Sequence, residues 1–262
     1  MFRSTSVDMP TRRSILMLMA SLSFFAADGV AQEHVILLHG LCRSSRSMKP
    51  MEESLVRAGF RVSNINYPSR STSIEQLGES VIGPSVAGCR RDGAPTIHFV
   101  THSLGGILVR SYLARHSLPE LGRVVMLGPP NQGSEVVDKL GGLWLFKAIG
   151  GPAGRELGTE GDSVPNQLGG VKFALGVIAG NRSVNWINSL VIAGPDDGKV
   201  SVERTKVQGM TDHVVLPTTH LFIMKNRVAV QQTIRFLQTG TFNHANPKPR
   251  PPREPRNEVA GE

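Results

Sequence analysis

At 262 residues the chain is long enough for one sizeable domain with its own core, plus tails. Its 40% hydrophobic content and 28 glycines suit a compact α/β enzyme, and two cysteines, Cys42 and Cys89, are too few for a disulfide scaffold. The formal net charge of +8 is a modest basic excess that fits anionic surfaces or substrates; no nucleic-acid motif accompanies it, so no nucleic-acid partner is expected.

Residues 1–31 read as an export signal. Thr11-Arg12-Arg13-Ser14 supplies the positive flank, Ile15 to Ala27 is an uncharged, largely apolar run of 13 residues, and Gly29-Val30-Ala31 offers small residues for cleavage. The run is too short to span a bilayer comfortably, so a cleaved signal is favoured over a membrane helix. The arginine pair fits a twin-arginine signal and an ordinary secretory one alike. The mature protein is therefore expected to be exported, periplasmic or secreted. In such a compartment Cys42 and Cys89 pairing, and their persisting as two partly buried thiols, both stay open.

The mature chain starts almost directly with a strand, His34 to Leu38, apolar throughout as a strand buried on both faces should be, and ending in His39-Gly40-Leu41. Ser47 to Ala58 has helical spacing of Met48, Met51, Leu55 and Val56 and stops at Gly59. Phe60 to Tyr67 is a second strand. Ser73 to Cys89 is helical with a break expected near Gly83-Pro84. Thr96 to Thr101 is the third strand, Leu104 to Arg115 a helix, and Val124 to Leu127 the fourth strand. From 128 to 171 the pattern breaks down around an apolar cluster that includes Trp144 and Phe146; this is a lid or binding loop, or a pair of short helices packed on the body. Phe173 to Ala179 is a fifth strand, Asp212 to Leu216 a sixth, and Leu221 to Gln238 a closing helix. Residues 243–262, rich in Pro and Arg, cannot build a core and are expected to be disordered.

Strands alternating with helices at this spacing imply a parallel sheet with right-handed crossovers, and active groups then gather beyond the carboxyl ends of the strands. His39-Gly40, Ser103 and the run from Gly128 to Ser134 all fall at such ends. Thr101-His102-Ser103-Leu104-Gly105-Gly106 has the strand, sharp turn and helix of a nucleophile elbow, with Thr101 where the motif normally has glycine. A serine hydroxyl needs a neighbouring base, and that base a carboxylate behind it. Chain order in enzymes built on this elbow runs serine, acid, histidine. After Ser103 the histidines are His116, His213, His220 and His244. His116 should point away, His213 lies within a strand and His244 lies in the tail. His220, in the loop after the sixth strand, is the expected base. Asp196 and Asp197 both qualify as the acid, and Asp197, with Gly198 behind it, is preferred. The oxyanion donors are then the backbone N–H groups of Leu104 and Leu41.

Together these motifs resemble the small bacterial α/β-hydrolases of the lipase/esterase kind, over about residues 33–240. The resemblance implies an α/β-hydrolase fold: a mostly parallel sheet with helices on both faces, spanning 32–242, with a small lid insertion at 128–171. It implies Ser103 as nucleophile, Asp197 as acid, His220 as base, Leu41 and Leu104 as oxyanion donors, and hydrolysis of a carboxylic ester through an acyl-enzyme. His39, Gly40, Trp144 and Phe146 are the expected substrate-binding residues. An ester or lipid is the expected substrate, with transient contact to a lipid surface. No metal-ligand spacing, phosphate loop or dinucleotide motif appears, so no metal or cofactor is expected. The competing readings are an acyltransferase on the same three residues and a non-catalytic accessory protein on the same scaffold. The sequence does not give the oligomeric state.

Overall fold

The computed structural model describes residues 32–140, 144–183 and 192–245; the proposed signal segment and most of the Pro/Arg-rich tail lie outside them. Six strands form one sheet: β1 (His34–Leu38), β2 (Arg61–Ile65), β3 (Ile97–His102), β4 (Leu121–Leu127), β5 (Leu175–Gly180) and β6 (Asp212–Leu216). Their order is β2-β1-β3-β4-β5-β6, and every pair is parallel. All six carboxyl ends therefore point to one edge.

Successive side chains on a strand alternate between faces, and the core divides accordingly. Ile36, Leu38, Phe99, Met126 and Val177 face one way, onto α2 (Ile74–Arg91) and α3 (Leu104–Leu113). Val35, Leu37, Val125, Leu127 and Ile178 face the other way, onto α1 (Lys49–Arg57) and the closing helix. Both faces are covered, which is why the buried parts of β1, β4 and β5 read as apolar runs.

Two helices depart from the sequence expectation. α2 runs unbroken through Gly83-Pro84. Proline costs one backbone hydrogen bond there, but Val81, Ile82, Val86 and Cys89 on either side are all buried in the same core and hold the helix in line. The closing helix starts at Arg227, not Leu221: a 3₁₀ turn, Ile223–Lys225, comes first, and the Asn226 side chain then accepts hydrogen bonds from the N–H groups of Val228 and Ala229 as an N-cap. The described residues between 128 and 171 include the helices α4 (Glu135–Leu140), α5 (Trp144–Arg155, interrupted at Gly151) and α6 (Val164–Gln167), and the closing helix is labelled α7 (Arg227–Thr239). Cys89 is buried and carries no disulfide, so Cys42 and Cys89 do not bridge. Among the described residues no helix is long and apolar enough to cross a membrane.

Five histidines, His34, His39, His98, His102 and His213, have pKa values pushed below the usual imidazole range, each chiefly by burial. Below pH ~6.5 the unfolded chain takes up protons that the folded one refuses, so stability falls as pH drops through 6.5 toward the folded-state values. Each histidine that stays fully neutral in the fold steepens that loss by up to ~1.4 kcal/mol per pH unit, and the enclosed His102 contributes most. The thermal midpoint should fall steadily between pH 7 and pH 5. A midpoint flat across that window would mean these rings protonate in place.

Candidate active site

Ser103 sits between the end of β3 and the start of α3, with φ 51° and ψ −120°. A non-glycine residue rarely adopts such a backbone, which costs about 1–3 kcal/mol and persists only when its surroundings enforce it. Here the Ser103 N–H donates to the Leu127 carbonyl at 3.0 Å, tying the turn to β4, and its carbonyl accepts from Gly106 at 3.0 Å. Thr101, in the place of the missing glycine, is buried in β3. The room it needs is provided at Gly106. A Cβ there would lie 3.0 Å from Met126 Sδ and 3.3 Å from Thr101 Oγ1.

His220 lies beyond the end of β6 and meets Ser103 across the sheet edge. Its Nε2 is 3.0 Å from Ser103 Oγ, and its Nδ1 is 2.7 Å from Asp197 Oδ2. The other carboxylate oxygen of Asp197 accepts the N–H groups of Lys199 at 3.0 Å and Val200 at 2.9 Å. Asp197 is thus held as an acceptor, its side chain wholly enclosed. The His220 N–H donates to the Asp197 carbonyl at 2.9 Å, so backbone and side chain lock the same pair. Asp196 plays a different part: its Oδ1 accepts the N–H of Gly198 at 2.6 Å and closes the turn. The other histidines after the serine are engaged elsewhere, His116 with Glu79, His213 with Thr205 and His244 with Asp212.

Ser103 and His220 open onto a cavity of about 580 Å³ whose lining includes Leu41, Pro130, Val136, Val137, Leu157 and Val200. Leu104 is the first residue of α3, so its N–H has no acceptor within the helix. Leu41 follows β1 at the same edge and lines the cavity.

His39 and Gly40 are not among the residues that line this cavity. The His39 ring is enclosed and stacked on Tyr67 at 4.1 Å. Its Nδ1 donates to the Gly40 carbonyl at 2.9 Å and its Nε2 accepts the Tyr67 N–H at 3.3 Å, so both ring nitrogens are spent on the scaffold. Gly40 is buried behind Ser103; a Cβ there would stand 2.6 Å from His102 Nδ1 and 3.2 Å from Ser103 Cβ. These residues shape the turn before Leu41 and stay out of the cavity. Trp144 and Phe146 belong to α5, but their side chains lie outside the described residues.

Two residues escaped the sequence reading. His102, fully enclosed, donates through Nε2 to the His220 carbonyl at 3.0 Å, while its Nδ1 has no partner among the described residues. Burial, reinforced by the neighbouring His220, holds it neutral. Nothing in a histidine at the end of a strand announces this. Arg110, on α3, is 3% exposed and donates to the Asn131 carbonyl at 2.8 Å, Asn131 Oδ1 at 3.1 Å, the Pro165 carbonyl at 3.0 Å and the Gly169 carbonyl at 2.6 Å. Its pKa is lowered by burial to about 10, so it stays charged at neutral pH. The helix that follows Ser103 is thereby fastened to both ends of the 128–171 segment. Arg110→Met leaves those carbonyls without their donor and should cost about 3 kcal/mol in denaturant unfolding, with faster proteolysis inside 128–171. A loss under about 0.5 kcal/mol, the usual size of a surface substitution, would show that the anchor is dispensable.

No protein-family profile matches the sequence, and no curated protein matches it. Solved structures do match the fold. Bacillus licheniformis lipase BlEst2 in its mature form superposes with a TM-score of 0.64 at 20% identity, covering 79% of this chain and 93% of that one. Phospholipase PlaB from Legionella pneumophila gives 0.63 at 17% identity, over 79% of this chain and 60% of PlaB. The metagenomic carboxyl esterase MGS0156 gives 0.61 at 18% identity, over 74% and 66%. At these identities the likeness is one of fold, and with the six-stranded parallel sheet and its flanking helices it establishes that this chain has the α/β-hydrolase fold.

Proposed function

We propose that this chain is a serine carboxylic-ester hydrolase, an esterase or lipase working through an acyl-enzyme. The observation that carries the reading is the unbroken run of hydrogen bonds from Ser103 through His220 to Asp197, opening on the cavity. The lipases and the esterase that share the fold support the same class of reaction.

In this reading His220 Nε2 takes the proton of Ser103 Oγ as that oxygen attacks the ester carbonyl carbon. The carbonyl oxygen becomes an oxyanion and is met by the N–H groups of Leu41 and Leu104, at the positive end of α3. His220, now protonated and steadied by Asp197, returns the proton to the leaving alkoxide, which departs as the alcohol. Water repeats the sequence on the acyl-enzyme: His220 takes its proton, hydroxide adds to the carbonyl carbon, and Ser103 Oγ leaves with that proton as the acid is released. Asp197 remains a carboxylate throughout.

Residues 128–171 serve as a cap, a reading supported by Pro130, Val136, Val137 and Leu157 lining the cavity. Leu221 and Phe222, 39% and 55% exposed directly after His220, are the surface for transient lipid contact. The apolar run behind Arg12-Arg13 supports an exported protein, periplasmic or secreted.

A panel of p-nitrophenyl esters from acetate to palmitate, analysed for products with and without an acceptor alcohol, tests the reading. Free carboxylic acid should form in every productive case. A new ester of the acceptor in its place would reassign the chain to acyl transfer, and no turnover on any ester would reject the reading.

A further inference from the structure

The cavity beside Ser103 holds two cations and no carboxylate among its lining residues. Arg43 comes from the loop after β1, and Lys199 from the loop that carries Asp197. Elsewhere the basic side chains of this protein are commonly matched: Arg90 with Glu120, Arg204 with Glu135, Lys206 with Glu203, Arg61 with Asp92. Among the described residues neither Arg43 nor Lys199 has an acidic partner. The Arg43 guanidinium donates to the Leu221 carbonyl at 3.5 Å. The Lys199 carbonyl, not its ammonium, is engaged by Ser134 Oγ at 2.8 Å.

Both side chains are half-buried, so their charges are partly desolvated without a counter-charge to offset the cost. They also act on the same end of the site. The positive charge of Lys199 is felt at Cys42, the neighbour of Arg43, and the charge of Arg43 is felt at His102, behind the nucleophile. Asp197, the carboxylate that meets His220, is enclosed and already takes three hydrogen bonds. Nothing in the lining would repel a negative ligand, and a partly closed cavity strengthens its attraction to the two cations.

We propose that this site is specific for esters that carry an anionic group, a carboxylate or a phosphate, which Arg43 and Lys199 hold beside the scissile carbonyl. The inference rests on the serine ester hydrolase reading and narrows its substrate class. A neutral ester still fits the apolar part of the cavity but leaves both cations without a counter-charge, so discrimination arises from the site itself.

The test compares matched soluble esters: p-nitrophenyl hydrogen adipate, its methyl-capped counterpart, and the corresponding ester ending in a phosphonate, each corrected for uncatalysed hydrolysis. The charged esters should exceed the capped one in kcat/KM by roughly tenfold at low salt, the size of effect a partly exposed ion pair supports, with the gap narrowing as salt is added. The charged ester with the larger advantage identifies carboxylate or phosphate as the preferred group. In the Arg43→Gln/Lys199→Met double variant the ratio should fall to about one. Arg91→Gln, which removes a charge from the exposed end of α2, should keep it and so separates the cavity from overall charge. Equal rates on charged and capped esters in the wild type, or a preference that survives the double variant, would overturn the proposal while leaving the hydrolase reading intact. If no ester is turned over, the hydrolase reading fails by itself. Calorimetric binding of the hydrogen adipate and capped esters to the Ser103→Ala variant then decides the matter of the two cations: tighter binding of the charged ester supports them, and equal binding overturns them.

Discussion

Replacing Ser103 with alanine should lower kcat on an activated aryl ester by about 10⁶-fold, the loss seen when one member of a cooperating nucleophile and base is removed. The change deletes one oxygen. Alanine keeps the Cβ, so it meets the same unusual backbone at φ 51° and introduces no new strain. The tie from its N–H to Leu127 is untouched, and only the 3.0 Å contact to His220 disappears. Thermal stability should therefore stay near that of the wild type, which separates loss of chemistry from loss of fold. A fluorophosphonate probe should label the wild type and leave the variant unlabelled. A variant that kept more than roughly one per cent of kcat would remove Ser103 from the role of nucleophile, because the oxyanion donors and binding alone supply only ~10³–10⁴ over water.

Asp197→Asn should cost about 10⁴-fold in kcat, with little change in KM. The reason lies in the tautomer of His220. Asp197 Oδ1 already accepts the N–H groups of Lys199 and Val200, so an asparagine there must keep its carbonyl oxygen on that side. Its NH₂ then faces His220 Nδ1 at the position where Oδ2 stood, 2.7 Å away. Nδ1 is forced to accept, the ring proton moves to Nε2, and the histidine presents a donor to Ser103 when it must present an acceptor. The neighbouring change Asp196→Asn is the control. Asp196 Oδ1 accepts the Gly198 N–H within the turn, an oxygen that asparagine keeps, so the change should alter kcat by less than about tenfold. If the two variants were equally impaired, the turn as a whole, and not the Asp197 carboxylate, would be what matters.

Much of this site was legible because its parts are punctuated in the sequence. β1 and β6 have the bounds that their sequence pattern suggests, His34–Leu38 and Asp212–Leu216. Ser103 directly follows β3 and His220 stands shortly after β6, and a parallel sheet brings such positions to one edge; Asp197 comes well after the end of β5 and was picked out by its turn with Gly198. Choosing Asp197 over Asp196 also agrees with the hydrogen bonds. What was not legible depends on partners distant in sequence. The role of His39 is set by Tyr67, 28 positions on, whose N–H and ring claim it for the scaffold. The helical content of 128–171 is held in part by Arg110, which looked like one more polar residue on an amphipathic helix. The late start of α7 follows from a capping asparagine inside what read as continuous helical spacing.

The pairing of Thr101 with Gly106 has a consequence for how this elbow can change over time. Around Gly106 the available space is filled from two sides, by Met126 and by Thr101. Alanine at 106 would press on Met126 at 3.0 Å and on Thr101 at 3.3 Å, so glycine at 101 relieves one side of the crowding and Met126 must give on the other. The two substitutions are coupled: alanine at 106 is easier to admit after glycine at 101, and a double-mutant cycle should give a favourable coupling between changes that look unrelated one at a time. A search for relatives that insists on glycine at the first position of the motif would pass over chains that have taken the other branch, with the small residue moved five positions along.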